Sequence, residues 1–326
     1  MPPPEGESRG EPAPPPRELR IGHADADQRL DRYLRKLLAH VPLGVIFKHL
    51  RAGRIRVDGK KAKPELRLQE GMVLQLRLGT KDLQTVQQAP DRRSASPRAP
   101  ASRGPRPTVV YRDDDVLVVD KPAGMAVQGS QRGGGDSLVA WLDHKAYGIR
   151  SQTFAPAPAH RLDRDTSGLV AIGLTPRGLR GLTAAFREGQ AHKTYLAVVH
   201  GRPDPSEGTI TAPLELIAGA QSHEPKVEVS EHGKDAVTDF ETVATVGEGD
   251  ATQSLVRCWP RTGRTHQIRA HLAFLGCPIV GDRRYGSPLR RGRFLLHAEQ
   301  LVLPHPVRDK QLELRAEAGA EFGVGE

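Results

Sequence analysis

Residues 89–107, "APDRRSASPRAPASRGPRP", set the first limit on what this chain can fold into. The stretch is nearly all proline, arginine, serine and alanine, so it cannot bury enough apolar surface to offset the entropy of ordering it. It must lie outside any core, and with its flank it is read as a linker over 83–107. A length of 326 residues fits about two domains. The expected order is a disordered tail (1–17), a small unit (18–82), the linker, a large unit (108–318) and a short tail (319–326). The opening "MPPPEGESRGEPAPPP" lacks an apolar core segment and is expected to be disordered, not a secretory signal.

In the small unit, Leu30, Leu34, Leu37 and Leu38 recur at helical spacing. A second helix is expected in "LGVIFKHLRAG", ending at Gly53 in the C′ position. "RIRVDGKKAK" alternates around Asp58-Gly59, a hairpin signal, and "MVLQLRL" reads as a closing strand. Between Arg29 and Lys63 there are eleven Lys or Arg against two acids, Asp31 and Asp58. A helix–helix–hairpin module with a basic face is the result, and a polyanion is the partner such a face suits. The whole chain carries +9 at neutral pH, which points the same way and towards nucleic acid rather than a membrane surface.

The large unit reads as many strands with hairpin-length connections and few helices, so a mainly antiparallel α+β sheet is expected rather than a wheel of βαβ units. Strands are predicted in "VLVVDKPAG", "LVAIGLT", "HKTYLAVVHG", "GTITAPLEL", "KVEVSE", "DAVTDFETVATV", "QSLVRCWP", "RFLLHAEQLVL" and "LELRAEA". Helices are predicted after the caps Ser137 and Thr175, the latter with Pro176 at the first position, and in "THQIRAHLAFLG" with Thr265 as cap and Gly276 as stop. No apolar run approaches the roughly 18 residues a membrane span needs. Cys258 and Cys277 are the only cysteines, too few for a disulfide framework, and a reducing cytoplasm is expected.

Familiar sites are missing. There is no phosphate loop of the GxxxxGK type, no GxGxxG after a strand and no GxSxG elbow. His266 and His271 are five apart with no glutamate between them, unlike a zinc-protease helix, so neither metal nor cofactor is expected. Three polar segments remain. "HRLDRDTSG" (160–168) is a loop entering a strand, with Gly168 allowing the turn; "HKTY" puts Lys193 and Tyr195 on one strand face; "RTGRTHQIR" sets Arg261, Arg264 and Arg269 near a helix start. A carboxylate beside guanidiniums stays ionised and can serve at a sugar carbon as nucleophile or electrostatic stabiliser, while a tyrosine can stack on a base. Surface ion pairs alone explain Asp163 and Asp165 as well, though such pairs contribute only about 0–1 kcal/mol. Read residue by residue, the chain reaches an aspartate in a basic, RNA-binding cleft and no further.

The small unit, through "RLDRYLRKLL" and "IRVDGKKAKPELRLQEGMVL", resembles the S4 RNA-binding domain. Over about 108–310, "VLVVDKPAGMAV", "HRLDRDTSGL", "KTY" and "GRTHQIRAHLAFLGCPIVGD" resemble the RluA-type pseudouridine synthases, and the S4-like module points to the branch acting on large-subunit (23S) ribosomal RNA. The resemblance implies a bifurcated, mainly antiparallel sheet and a cofactor-free isomerisation of uridine. It assigns Asp163 as catalytic carboxylate, attacking the ribose C1′ or acting in glycal formation. It assigns Tyr195 to stack on the base, Ile268 to the base's other side, and Arg269 to pair with the aspartate. Arg161 is the side chain that enters the space of the flipped nucleotide, and Lys193 and Arg264 are substrate contacts. Extruding a nucleotide costs a few kcal/mol, which filling the vacated stack would partly offset. A monomer with RNA as partner, and neither DNA nor membrane, is expected. The rivals are a non-catalytic RNA-binding or ribosome-assembly protein, a synthase acting on transfer RNA or another RNA, and a nucleoside glycosidase. The intact Asp163, Tyr195 and Arg269 argue against the first. The glycosidase would want a second carboxylate beyond Asp165.

Overall fold

The apolar residues at helical spacing do form helices: α1 (Leu30–Leu37) and α2 (Leu43–Arg51). Gly53, one residue beyond the Ala52 C-cap, takes φ +68°, the left-handed conformation that a C′ glycine supplies. The computed structural model describes residues 16–79, 105–129, 137–144, 151–217, 226–289 and 292–323, so most of the expected tails and linker lie outside the described residues. Two units result, each built around its own core.

In the small unit, β1 (Arg17–Arg20), β2 (Ile55–Val57), β3 (Lys60–Lys61) and β4 (Val73–Leu76) form an antiparallel sheet in the order β1-β4-β2-β3. Asp58 and Gly59 both have positive φ, as a two-residue type I′ hairpin requires, and the Asp58 carboxylate accepts from the Val73 N–H at 2.8 Å. Leu30, Leu34, Ile46, Leu50, Leu74 and Leu76 fill the core. The structure departs from the expectation twice. "RELR", with one apolar side chain in four, pairs with β4 and begins the unit at Arg17 inside the expected tail. Residues 151–154 also belong to this unit, not to the large one. The Asp25 carboxylate is 5% exposed and needs donors. It finds them in Ser151 Oγ (2.6 Å), Thr153 Oγ1 (2.9 Å) and the Gln152 N–H (3.2 Å).

The large unit runs β5 (Thr108–Arg112), β6 (Val116–Lys121), α3 (Leu138–His144), β7 (Ala157–Pro158), β8 (Ser167–Gly173), α4 (Pro176–Arg187) and β9 (His192–His200). It continues through β10 (Glu207–Thr211), β11 (Leu214–Ile217), β12 (Lys226–Val229), β13 (Val237–Val246) and β14 (Gln253–Pro260). α5 (Gln267–Phe274), β15 (Leu296–Pro304) and β16 (Gln311–Arg315) complete it. The large sheet has the order β10-β13-β14-β9-β15-β8-β6-β5, antiparallel throughout except where β8 meets β15. Its first residues pair β15 with β8, while its last pair with β16, so the sheet forks there. This is the α+β, mainly antiparallel fold expected.

Every residue of β8 is buried, because side chains alternate into cores on both faces. Val170 and Ile172 join Leu117, Val119 and Ala197 on one side; Leu169 and Ala171 join Val116, Val118 and Leu182 of α4 on the other. Such two-sided burial is why "LVAIGLT" reads as an unbroken apolar run. "GTITAPLEL", expected as one strand, is two. Pro213 cannot donate to a ladder, and beyond it β11 leaves the large sheet to pair with β12, with one further bridge from Leu214 to Lys234. Thr175 and Ser137 cap as expected, accepting from Gly178 N (3.1 Å) and Ala140 N (3.2 Å). Thr265 does not: His266, at φ +52°, stands at the N-cap of α5, and the Gln267 side chain accepts the Arg264 N–H at 3.0 Å. Gly276 ends that helix with φ +76°.

Gly168 carries more than a turn. Its φ is +111°, and an added Cβ would sit 2.3 Å from the Ala298 carbonyl oxygen on β15. Gly124, at φ +82°, has open space there. Gly124→Ala should therefore cost about 1–2 kcal/mol, the penalty of left-handed backbone alone. Gly168→Ala should cost roughly 2–5 kcal/mol, since overpacking against backbone adds about 1–3. Urea unfolding of both variants checks the order; equal losses would mean β8 and β15 do not approach this closely.

Candidate active site

The loop carrying "HRLDRDTSG" joins β7 to β8 and is pinned from below by the end of β6. Lys121 is fully buried there, and its ammonium donates to the carbonyls of Met125 (2.8 Å), Pro122 (3.0 Å) and, across the loop, Arg164 (3.2 Å). Burial pushes this ammonium down to about 8, opposed by the charges of Asp165 and Asp163. Arg164 returns the contact, its Nε donating to the Gly124 carbonyl at 3.0 Å. At the loop's other end, His160 Nε2 accepts the Ala171 N–H at 3.0 Å, and its ring lies 4.3 Å from that of Phe186. Burial, with the Lys193 charge adding, pushes this imidazole down to about 3, so it is neutral with its proton on Nδ1.

Held this way, Asp163 faces the first turn of α5. Its Oδ2 accepts from Arg269 Nη1 at 2.9 Å, and His266 Nε2 lies 3.7 Å from the same oxygen. Burial moves the His266 imidazole below its usual range; the Arg269 charge adds to this and that of Asp163 opposes it. The second contact is therefore with a neutral ring at neutral pH. Arg269 is itself buried. Its Nε and Nη2 donate to Asp282 at 2.6 and 3.0 Å, and its guanidinium carbon lies 4.3 Å from the Phe294 ring centre and 5.0 Å from that of Tyr285. Burial opposes that charge, but Asp282 and then Asp163 hold the guanidinium above its ordinary value.

A cavity of about 140 Å³ opens over this pair. Arg161, Asp163, Lys193, Tyr195, Arg264, Ile268 and Arg269 all line it, so the seven residues expected from three distant segments meet in one place. Lys193 and Tyr195 share a face of β9, as their spacing requires. Burial, with the Asp163 charge adding to it, raises the Tyr195 phenol well above its usual range, so the ring is neutral; burial lowers the Lys193 ammonium. Arg161 and Arg264 are exposed, while Tyr195 and Ile268 are buried. The space suits one small flat ring rather than a drug-sized ligand of about 300 Å³ or more.

Sequence reasoning passed over Asp282, Tyr285 and Lys121, and weighed His266 only as a metal ligand. "GDRRYG" and "KPAG" were visible, but nothing in spacing ties Asp282 to Arg269 or Lys121 to the Arg164 carbonyl. Among the described residues no group of side chains is arranged to hold a metal ion, and no helix is long and apolar enough to cross a membrane.

Residues 115–274 match the family described as RNA pseudouridylate synthase, and residues 28–74 match the S4 domain. The chain is 35% identical over 301 residues to ribosomal large subunit pseudouridine synthase C of Vibrio cholerae serotype O1, covering 89% of this chain and 90% of that protein. To the protein of the same name from Escherichia coli strain K12 it is 34% identical over 305 residues, 90% of each. Among solved structures, human RNA pseudouridylate synthase domain containing 4 aligns with a TM-score of 0.53 at 24% identity, over 66% of this chain and 89% of that one. Human RNA pseudouridylate synthase domain containing 1 aligns at 0.50 and 28%, over 65% and 83%.

His160 yields a pH prediction. Its folded value lies below the unfolded one of about 6.5, so between the two the unfolded chain holds the extra proton. The stabilisation is complete above about pH 6.5 and is lost as pH falls towards 3, by at most about 1.4 kcal/mol per pH unit. His160→Gln should remove that part of the acid sensitivity, seen as a flatter plot of unfolding free energy against pH. An unchanged slope would mean the ring takes up its proton while folded.

Proposed function

Since the chain belongs to the RNA pseudouridylate synthase family and is a pseudouridine synthase, we propose that Asp163 carries the reaction and that the substrate is large-subunit ribosomal RNA. The reaction keeps every atom of uridine. The N1–C1′ bond breaks, the uracil turns, C5 bonds to C1′, and the proton leaving C5 is balanced by one gained at N1. Asp163 acts at the ribose, either by attack on C1′ or in forming a glycal, so its carboxylate must stand beside the sugar while the base lies deeper. The contact from Arg269 supports this most directly: one oxygen of a carboxylate that lines the cavity is held at 2.9 Å.

The other six residues follow from their positions. Tyr195, a neutral ring, and Ile268 enclose the base while it turns. A phenol kept neutral does not compete with the carboxylate for the sugar carbon. Arg161, exposed at the mouth, enters the stack that the extruded uridine leaves. Lys193 and Arg264 meet the RNA backbone, where basic side chains supply most of the affinity. The S4 domain adds its basic face to that attraction. Relatives named for large-subunit synthase activity, similar over nine-tenths of their length, support the choice of RNA.

Asp163→Asn should abolish product and leave filter-bound RNA within about twofold of wild type, because affinity rests on phosphate contacts. Pseudouridines mapped in ribosomal RNA from cells carrying only that variant should be missing at the enzyme's own sites. Turnover near wild type would remove Asp163 from catalysis. Unchanged large-subunit RNA alongside loss in another RNA would reassign the substrate.

A further inference from the structure

A second cavity, about 380 Å³, opens beside the first. The two share Gly263, Arg264 and Thr265, in the segment between β14 and α5, so they adjoin there. Its far wall is the β11–β12 hairpin, where Leu214 and Val227 are buried and Leu216 stands 60% exposed. An apolar side chain so uncovered beside a catalytic cavity is a surface on which a flat ring can pack. Among the described residues that line it, the charged side chains are two cations, Lys234 and Arg264, and one acid. Lys234 is exposed and makes no side-chain hydrogen bond or ion pair among the described residues. Arg264 stands on the ridge between the compartments, with its Nε anchored to the Asp235 carbonyl at 2.9 Å. The one acid, Glu215, accepts from Ser230 Oγ at 2.6 Å.

We propose that this second compartment binds the nucleotide next to the target uridine in the same RNA strand. Its base lies on Leu216, the phosphate joining the two nucleotides meets Arg264, and the next phosphate meets Lys234. The inference rests on the first compartment being the uridine's. Three observations carry it. The two cavities share the wall made by Gly263, Arg264 and Thr265, so a strand that leaves the first over Arg264 meets the second. A wall that mixes the apolar Leu214, Leu216 and Val227 with the polar Glu215, His232 and Thr265, and a volume within the range of about 300 Å³ upward that small-molecule sites occupy, suit a base and its sugar. The two cations suit a phosphodiester. Recognition of a neighbour here would let the enzyme choose among uridines by context, which a pocket shaped only for uracil cannot do.

The test uses the full-length protein and a substrate RNA with the base of either neighbouring nucleotide removed, an abasic residue standing in its place. Wild-type KM should rise about fivefold or more for one of the two RNAs, the lower end of what stacking one base contributes. The single-turnover rate at saturating RNA should be kept. Leu216→Ser, an exposed change that leaves the core intact, should raise KM for the unmodified RNA to a similar degree and show no further rise with the abasic one. Lys234→Ala should raise KM for both RNAs alike and lower the slope of log K against log salt by about 0.7. If neither abasic RNA affects wild type, or if its effect multiplies with that of Leu216→Ser, the compartment does not hold the neighbouring nucleotide. Failure of wild type to form pseudouridine in any RNA would instead defeat the reading of the first compartment, and this inference with it.

Discussion

A single buried guanidinium joins the parts of the candidate active site. Arg269 spends three nitrogens on two carboxylates, a two-point hold on Asp282 and one hydrogen bond to Asp163, with Phe294 and Tyr285 close to its plane. A buried charge that loses its partner costs about 3–5 kcal/mol, so the geometry is not free to drift. Asp282 is 2% exposed and fixes the plane of the fork; only one edge then remains for Asp163. Asp163, the proposed catalytic carboxylate, is thus aimed through Asp282, which does not line the cavity. Lysine in place of Arg269 would keep the charge and lose the plane.

The rest of the large unit can be read as support for that contact. Asp163 lies on a loop, and loops place side chains less well than strands do, so this one is tied at three points. Lys121 holds the Arg164 carbonyl, Arg164 holds the Gly124 carbonyl, and His160 accepts from β8. Gly168 then lets β8 lie against β15 without a side chain between them. On the opposite wall, β9 brings Tyr195 and Lys193, and the segment ahead of α5 brings Arg264. The same segment lines the second cavity, so the proposed grip on the uridine and the proposed reading of its neighbour share one piece of backbone.

Much of this was legible beforehand because periodicity and punctuation agree with burial. The two-sided core of β8, the Thr175-Pro176 start, the Asp58-Gly59 hairpin and the glycine stops at 53 and 276 each leave a local mark. Residues 151–154 left none, since their role is to satisfy Asp25, more than a hundred positions away. The N-terminal strand was too short and too charged to show a face. Thr265 looked like a cap because capping is judged from residue type, whereas the Gln267 side chain takes the Arg264 N–H instead. At the site, the candidate residues sat in recognisable polar runs, but the Asp282 carboxylate meets Arg269 and does not line the cavity, and such a residue has no signature of its own. Buried charge networks become visible only once the fold has brought their members together.

The claim that Asp282 works through Arg269 and not beside it has a direct measurement. Single-turnover rates at saturating RNA would be taken for Arg269→Ala, Asp282→Ala and the double variant, each shown by circular dichroism to be folded. The account predicts that both single variants are slow, by a factor of order 10², the loss that a misplaced catalytic group brings. It predicts that the double variant is no slower than Arg269→Ala alone, because Asp282 has nothing left to hold. A double variant whose defect equals the product of the two single ones would contradict it, and would mean that the two residues reach the reaction by separate routes.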